Sequence, residues 1–370
     1  MSALLRLVVW LLLCAAAAGC AHPYPFVACG PQVRPALGEL RDGYAAVRIF
    51  YATDRRPTGA VTPELVFGVE RTNRLRLGRG EVSIPAGHGK GRQEAPPFLT
   101  RARPQEQVML TSLSLPAAAS EPFWSEVRAA VERSERRELL VYIHGYFTTF
   151  EGACLDAAQI AHDVELDGPA LAYSWTSQAY FWGYLSDTVN VEWTQPYLVR
   201  FLESVVERSG ARHVFVLAHS MGTRALTRAV REVVRDRALR DEPEFDQVVL
   251  AAADDDAELF ARDYAPYLAR AARRVTIYIS RQDWALLGSE KLHGYKRLGQ
   301  YWPEEMSAAD QARIEVVDVS AEDKGWYGHI YYRASPRVLD DLRGIFDGRD
   351  APSRGLRSAG GHFVMDVAPG

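Results

Sequence analysis

The sequence predicts an α/β fold: a mostly parallel central sheet with helices on both faces and an antiparallel N-terminal lead-in. Three observations predict it. From about residue 121 onward, short apolar runs alternate with helical patterns, as in chains whose strands are buried on both faces. Upstream, three β-like runs follow one another with Pro and Gly punctuation and no helix between them, which marks antiparallel strands. The composition, 48% hydrophobic and 24% charged over 370 residues, is that of a globular chain able to bury a large core.

Residues 1–19 read as a signal peptide. Arg6 precedes the apolar run 7–13, and the small residues 15–19 lead to Cys20, giving a charged segment, a hydrophobic segment and a small-residue cleavage site. The run is too short for a comfortable membrane span. Ala17-Ala18-Gly19-Cys20 resembles a bacterial lipobox, with Ala17 where Leu is usual. Cys20 is therefore expected to carry the lipid, and Ala21 in place of Asp resembles the pattern passed on to the outer membrane. An exported protein, lipid-anchored at the outer membrane or periplasmic face, is the expectation; plain secretion and an uncleaved anchor are the alternatives. An oxidising compartment permits a bridge between Cys29 and Cys154, but spacing alone does not establish one.

Residues 20–44, rich in Pro, Gly and Ala, read as a tether. The main domain is expected over 45–347 and a C-terminal tail over 348–370. Its lead-in comprises the β-like runs 46–51, 65–69 and 75–84, followed by a long loop over 85–103. The apolar runs 139–143, 170–173, 214–217, 248–251, 275–279 and 314–319 then supply the parallel strands. Leu198, Phe201, Leu202, Val205 and Val206 form a helical seam stopped at Gly210, and Ala225, Leu226, Ala229, Val230, Val233 and Val234 form another. A net charge of -4 with no long run of Lys and Arg argues against a nucleic-acid partner.

The chemistry concentrates at the junction of run 214–217 with the helix after it. Ala218-His219-Ser220-Met221-Gly222 places a serine on a tight strand-to-helix turn, where its hydroxyl projects above the sheet edge. The pattern at such an elbow is G-x-S-x-G; Ala218 replaces the first Gly and is small enough for the turn. The bland alternative is a helix N-cap. A serine nucleophile needs a base to take its proton and a carboxylate to orient that base, and in this fold class they follow in the order Ser, acid, His. Downstream of Ser220 stand His293, His329 and His362. His329, in a Gly-containing loop after the last apolar strand, is the preferred base. Asp283, just after run 275–279, is the preferred acid, with Asp254 and Asp256 as rivals. The backbone N–H groups of Met221 and of Tyr146, beyond His144-Gly145, are the candidate oxyanion donors.

Taken together, Tyr142-Ile-His-Gly-Tyr-Phe-Thr-Thr-Phe-Glu151, Ala172-Tyr-Ser-Trp175, Leu217-Ala-His-Ser-Met-Gly222, Val249-Leu-Ala-Ala252 and Tyr278-Ile-Ser-Arg-Gln-Asp-Trp-Ala-Leu286 resemble the bacterial α/β-hydrolases of the family once described as domain of unknown function 900. Tyr51-Ala-Thr-Asp-Arg55 and Val82-Ser-Ile-Pro85 resemble its N-terminal signatures, so the resemblance runs from about residue 45 to 341. It implies an α/β-hydrolase fold and carries the triad onto Ser220, Asp283 and His329. One departure is Phe147, where members often have Asn.

The expectation is thus a serine hydrolase, esterase- or lipase-like, acting on a small-molecule ester or acyl substrate with no metal and no organic cofactor. The rival class is a non-catalytic envelope lipoprotein using the fold for binding. The aromatic segment Trp175-Thr-Ser-Gln-Ala-Tyr-Phe-Trp-Gly-Tyr184 reads either as an acyl or aryl pocket or as packing onto the sheet.

Overall fold

The computed structural model describes residues 24–28, 32–96, 100–114, 120–236, 243–301, 306–324 and 328–367. The signal segment, Cys20 and Cys29 lie outside them, and with them the expectations of cleavage, lipidation and a bridge to Cys154. Cys154 itself is buried.

Among the described residues, one 12-stranded sheet organises the fold. Its antiparallel part holds β1 (Gly38–Arg41), β2 (Tyr44–Pro57), β3 (Phe67–Pro85) and β4 (Met109–Leu113). β2 then pairs parallel with β6 (Ala170–Ser174), and the parallel array continues through β5 (Glu138–Ile143), β7 (His213–His219), β8 (Phe245–Ala251), β9 (Ala272–Ile279) and β10 (Ile314–Asp318). This is the α/β-hydrolase-like fold expected. The central strands are apolar on both faces because both are covered: Val214, Val216 and Ala218 join one core layer, Phe215 and Leu217 the other, as the period of two requires.

Helices fill each side. On the first layer lie α1 (Ser120–Glu132), α3 (Tyr184–Arg208), α4 (Met221–Asp236) and α5 (Ala265–Ala271). On the second lie α2 (Phe150–Asp163) and α7 (Pro336–Phe346), while α6 (Trp284–His293) follows β9. The α4 seam of Ala225, Leu226, Ala229, Val230, Val233 and Val234 is buried as its spacing predicts. Gly210, at φ 72°, follows the end of α3. No helix among the described residues is long and apolar enough to cross a membrane.

Three boundaries differ from the sequence expectation. The segment read as a tether reaches into the fold, since β1 pairs with β2 and Ala36 and Leu37 are buried; its Pro, Gly and Ala content hid a short edge strand. Run 75–84 and the end of run 65–69 belong to one long strand from residue 67, whose middle, residues 70–74, reads polar because its side chains are exposed or only half-buried. The tail adds β11 (Arg357–Ser358) and β12 (Phe363–Val364), with β12 parallel to β10 and Leu356 and Met365 buried. Two-residue strands are too short to leave a periodic signal.

Candidate active site

β7 ends at His219, α4 begins at Met221, and Ser220 between them sits at φ 51°. That left-handed conformation is rare for a residue with a Cβ, and three backbone hydrogen bonds hold it. Ser220 N–H donates to Ala251 O (2.9 Å), while Ser220 O accepts from the amides of Thr223 (3.0 Å) and Asp254 (3.2 Å). The turn is packed too closely for larger neighbours. A Cβ on Gly222 would lie 2.3 Å from His144 O, and one on Gly145 would lie 2.8 Å from Ser220 Cβ. Ala218, by contrast, points its methyl into the core of the first layer, so the position two before the serine takes Ala without strain.

The loop after the last long strand returns His329 to this turn. Its Nε2 lies 2.7 Å from Ser220 Oγ and its Nδ1 2.7 Å from Asp283 Oδ2. Burial alone lowers the pKa of His329, but the charge and hydrogen bond of Asp283, with Asp254 and Asp323 farther off, outweigh it and raise the value above 6.5. Asp283 uses its other oxygen as the N-cap of α6, where Oδ1 accepts from the amides of Ala285 (3.0 Å) and Leu286 (3.1 Å). One carboxylate thus both caps the helix and contacts the histidine.

The rival acids are engaged elsewhere. Asp254 is buried among Arg224 (2.9 Å), Arg297 (2.9 Å), Tyr184 (2.6 Å) and Ser289 (2.5 Å). Asp255 accepts from Thr227 and Arg228, and Asp256 caps the helical turn Ala257–Leu259. Of the rival bases, His293 closes α6 against Ser289 and Tyr184, and His362 lies in the turn joining β11 and β12.

The loop that carries Tyr146 is braced from beneath. His144 stacks on Trp175 at 5.1 Å between ring centres, and Trp175 Nε1 donates to His144 O (2.7 Å). Arg55, fully buried, donates to Thr148 O (2.8 Å), Ser177 O (3.1 Å), Gly68 O (3.1 Å) and Ser174 Oγ (3.0 Å). Burial lowers its pKa to about 10, so it stays charged at neutral pH, and one cation ties the carbonyls of two loops beside Ser220. The aromatic segment divides: Trp175 is core, whereas Phe181 and Trp182 are 60% and 69% exposed. The single Tyr146 O–H is shared between Tyr180 O (3.1 Å) and Phe181 O, which ties this exposed pair to the Tyr146 loop.

Two contributors escaped sequence reasoning. His219 donates from Nε2 to His329 O at 2.9 Å; its place beside the serine was the only signal. Asp323, buried, accepts from Ser280 Oγ, and burial drives its carboxyl up to about 7, the charge of Asp283 adding to the rise. No spacing rule marks it.

Residues 119–345 match the family described as "Alpha/beta hydrolase of unknown function (DUF900)". No curated protein matches the chain. Among solved structures, a metagenomic carboxyl esterase is similar at 15% identity over 50% of this chain and 50% of its own, with a TM-score of 0.25; the chain thus spans half of that protein's length. A lipase-esterase related protein from Clostridium acetobutylicum is similar at 13% identity over 58% of this chain and 94% of its own, also with a TM-score of 0.25.

Proposed function

The chain belongs to the α/β-hydrolase family of unknown function, and from that premise we propose that it is a serine hydrolase that cleaves ester bonds by acyl transfer through Ser220. The observation that carries this reading is the unbroken line Ser220 Oγ to His329 to Asp283, each step 2.7 Å. In it His329 takes the Ser220 proton as Oγ attacks the acyl carbon. Asp283 fixes the tautomer with Nδ1–H and steadies the imidazolium. The oxyanion forms toward the amides of Met221 and Tyr146. The leaving alcohol receives the proton from His329, and water then repeats the sequence to release the acid. Exposed Phe181 and Trp182, tied to the Tyr146 loop, suit an apolar acyl or aryl group.

A fluorophosphonate probe tests this directly. Wild type is expected to label, and Ser220→Ala is not. A well-folded wild type that fails to label overturns the reading in favour of a binding protein, and p-nitrophenyl esters of graded acyl length then rank substrates.

We infer also that the protein is exported and held to the membrane by lipid on Cys20, a reading supported by the segment 1–20 alone. Incorporation of labelled fatty acid by wild type and its loss in Cys20→Ala is the expected result; equal labelling overturns it.

A further inference from the structure

At the far end of α2 from the Tyr146 loop, His88, His162 and Asp163 come together, all buried at 1%, 6% and 0% exposure. One ligand atom from each lies within 4.8 Å of the others. His88 Nε2 approaches Asp163 Oδ1 at 2.8 Å, and His162 Nδ1 approaches the same oxygen at 3.4 Å. We propose that these three side chains form a divalent-metal site suited to Zn2+, which clips the loop after β3 to the end of α2.

The surroundings are those of a ligand set with its outer partners in place. Glu94 Oε2 sits 2.8 Å from the other nitrogen of His88, the carboxylate–histidine arrangement that fixes a metal ligand's tautomer. Asp163 Oδ2 accepts from Gly91 N–H (2.8 Å) and from Gln159 Nε2 (3.2 Å), and Oδ1 faces both histidines. Two imidazoles and a carboxylate are ligands that Zn2+ takes, with water at a fourth, open position. Ligand atoms on a tetrahedral zinc stand roughly 3.3 Å apart, which matches the His162 contact. The His88 contact opens by about 0.5 Å as the proton between Nε2 and Oδ1 leaves on binding.

A hydrogen-bonded latch accounts for His88, whose two nitrogens each face a carboxylate. It does not account for His162, whose Nδ1 contact is long for a hydrogen bond. A metal gives that imidazole a bond strong enough to hold it there. The site was invisible in the sequence because His88 stands 75 residues from Asp163, in a stretch read only as loop.

The test uses the full-length chain, stripped with chelator and titrated with ZnCl2 by calorimetry. One equivalent is expected to bind with Kd below about 1 μM, with a rise in Tm, and Co2+ is expected to give tetrahedral visible bands. His162→Gln leaves the contacts of His88 with Glu94 and Asp163 in place, so it keeps the fold while weakening Zn2+ binding by at least about tenfold and removing the Co2+ bands. Substoichiometric binding by wild type with no change in Tm overturns the proposal. So does a folded His162→Gln protein that binds Zn2+ as wild type does.

Discussion

The imidazole of His219 donates through Nε2 to the backbone carbonyl of His329 at 2.9 Å, with the two ring centres 4.7 Å apart. The strand that presents Ser220 therefore also fixes the loop that presents its partner histidine. Burial, with His329 nearby, keeps His219 neutral by pushing its pKa well below 6.5. A carbonyl only accepts, so Nε2 carries the proton, and that donor persists across the working pH range. On its other face His219 stacks against Tyr332 at 4.4 Å.

His219→Phe keeps the stack and removes the donor. The expected result is a fall in kcat of about 10²-fold, the scale of a small misplacement of a reacting group, with KM for a short p-nitrophenyl ester little changed and the circular dichroism of wild type. An unchanged kcat rules out the positioning role.

Asp283 divides its two oxygens between the α6 cap and His329, and two substitutions separate these duties. Asp283→Asn still caps, because Asn is as good an N-cap as Asp, but presents the wrong partner to Nδ1. On the proposed mechanism, hydrolysis of a p-nitrophenyl ester should drop by about 10⁴-fold while Tm stays near wild type. Asp283→Ala should lose activity similarly and in addition cost about 1 kcal/mol of stability in urea denaturation. If the Asn variant retains most of its activity, the acid is not Asp283.

In the proposed mechanism His329 must be neutral to accept a proton, so kcat/KM should fall as pH drops through its raised pKa, placing the acid limb above pH 6.5. Asp323 contributes to that rise, and its own carboxyl is pushed up to about 7, by burial first. A carboxyl raised in the folded state stabilises the fold below its unfolded value, and that stability is lost as pH climbs toward 7. Asp323→Asn cannot ionise and should gain in Tm on wild type as pH rises from 5 to 8, while moving the acid limb of the rate profile to lower pH. Paired Tm and rate measurements over that range check both signs, and a variant that tracks wild type in both contradicts the account.

The parallel half of the sheet was legible because strands covered on both faces, such as Val214-Phe-Val-Leu217, must be apolar throughout. Chain order narrowed the partners of Ser220, and position after a strand end, where loops meet, made Asp283 and His329 the preferred pair, which the structure brings together with it. The signature ending in Arg55 was visible, but its physical meaning was not: the carbonyls it holds belong to residues 148 and 177, far along the chain. The same holds for Asp323 and the cluster around His88, where buried polar groups find partners across long separations. No local pattern encodes such contacts, since the residues between them are free to vary.

Phe147 gives the last prediction. It follows Tyr146 in the loop proposed to hold the oxyanion, and its φ is 62° with the side chain 55% exposed. A bulky side chain in the left-handed region crowds the following carbonyl at roughly 1–2 kcal/mol, whereas Asn visits that region readily through local hydrogen bonds. This is a physical reason for the Asn that resembling sequences often carry there. Its ring touches Tyr146 at 5.8 Å between centres, a contact too exposed to recover much of the strain. Phe147→Asn and Phe147→Gly are therefore expected to raise stability by about 1 kcal/mol in chemical denaturation, while Phe147→Leu, which keeps a Cβ and a bulky chain, is not. Turnover of a short acyl ester should be unchanged in the Asn variant. If the Asn protein is less stable than wild type, packing of the Phe147 ring on Tyr146 outweighs the backbone term, and the loop is held by its aromatic surface.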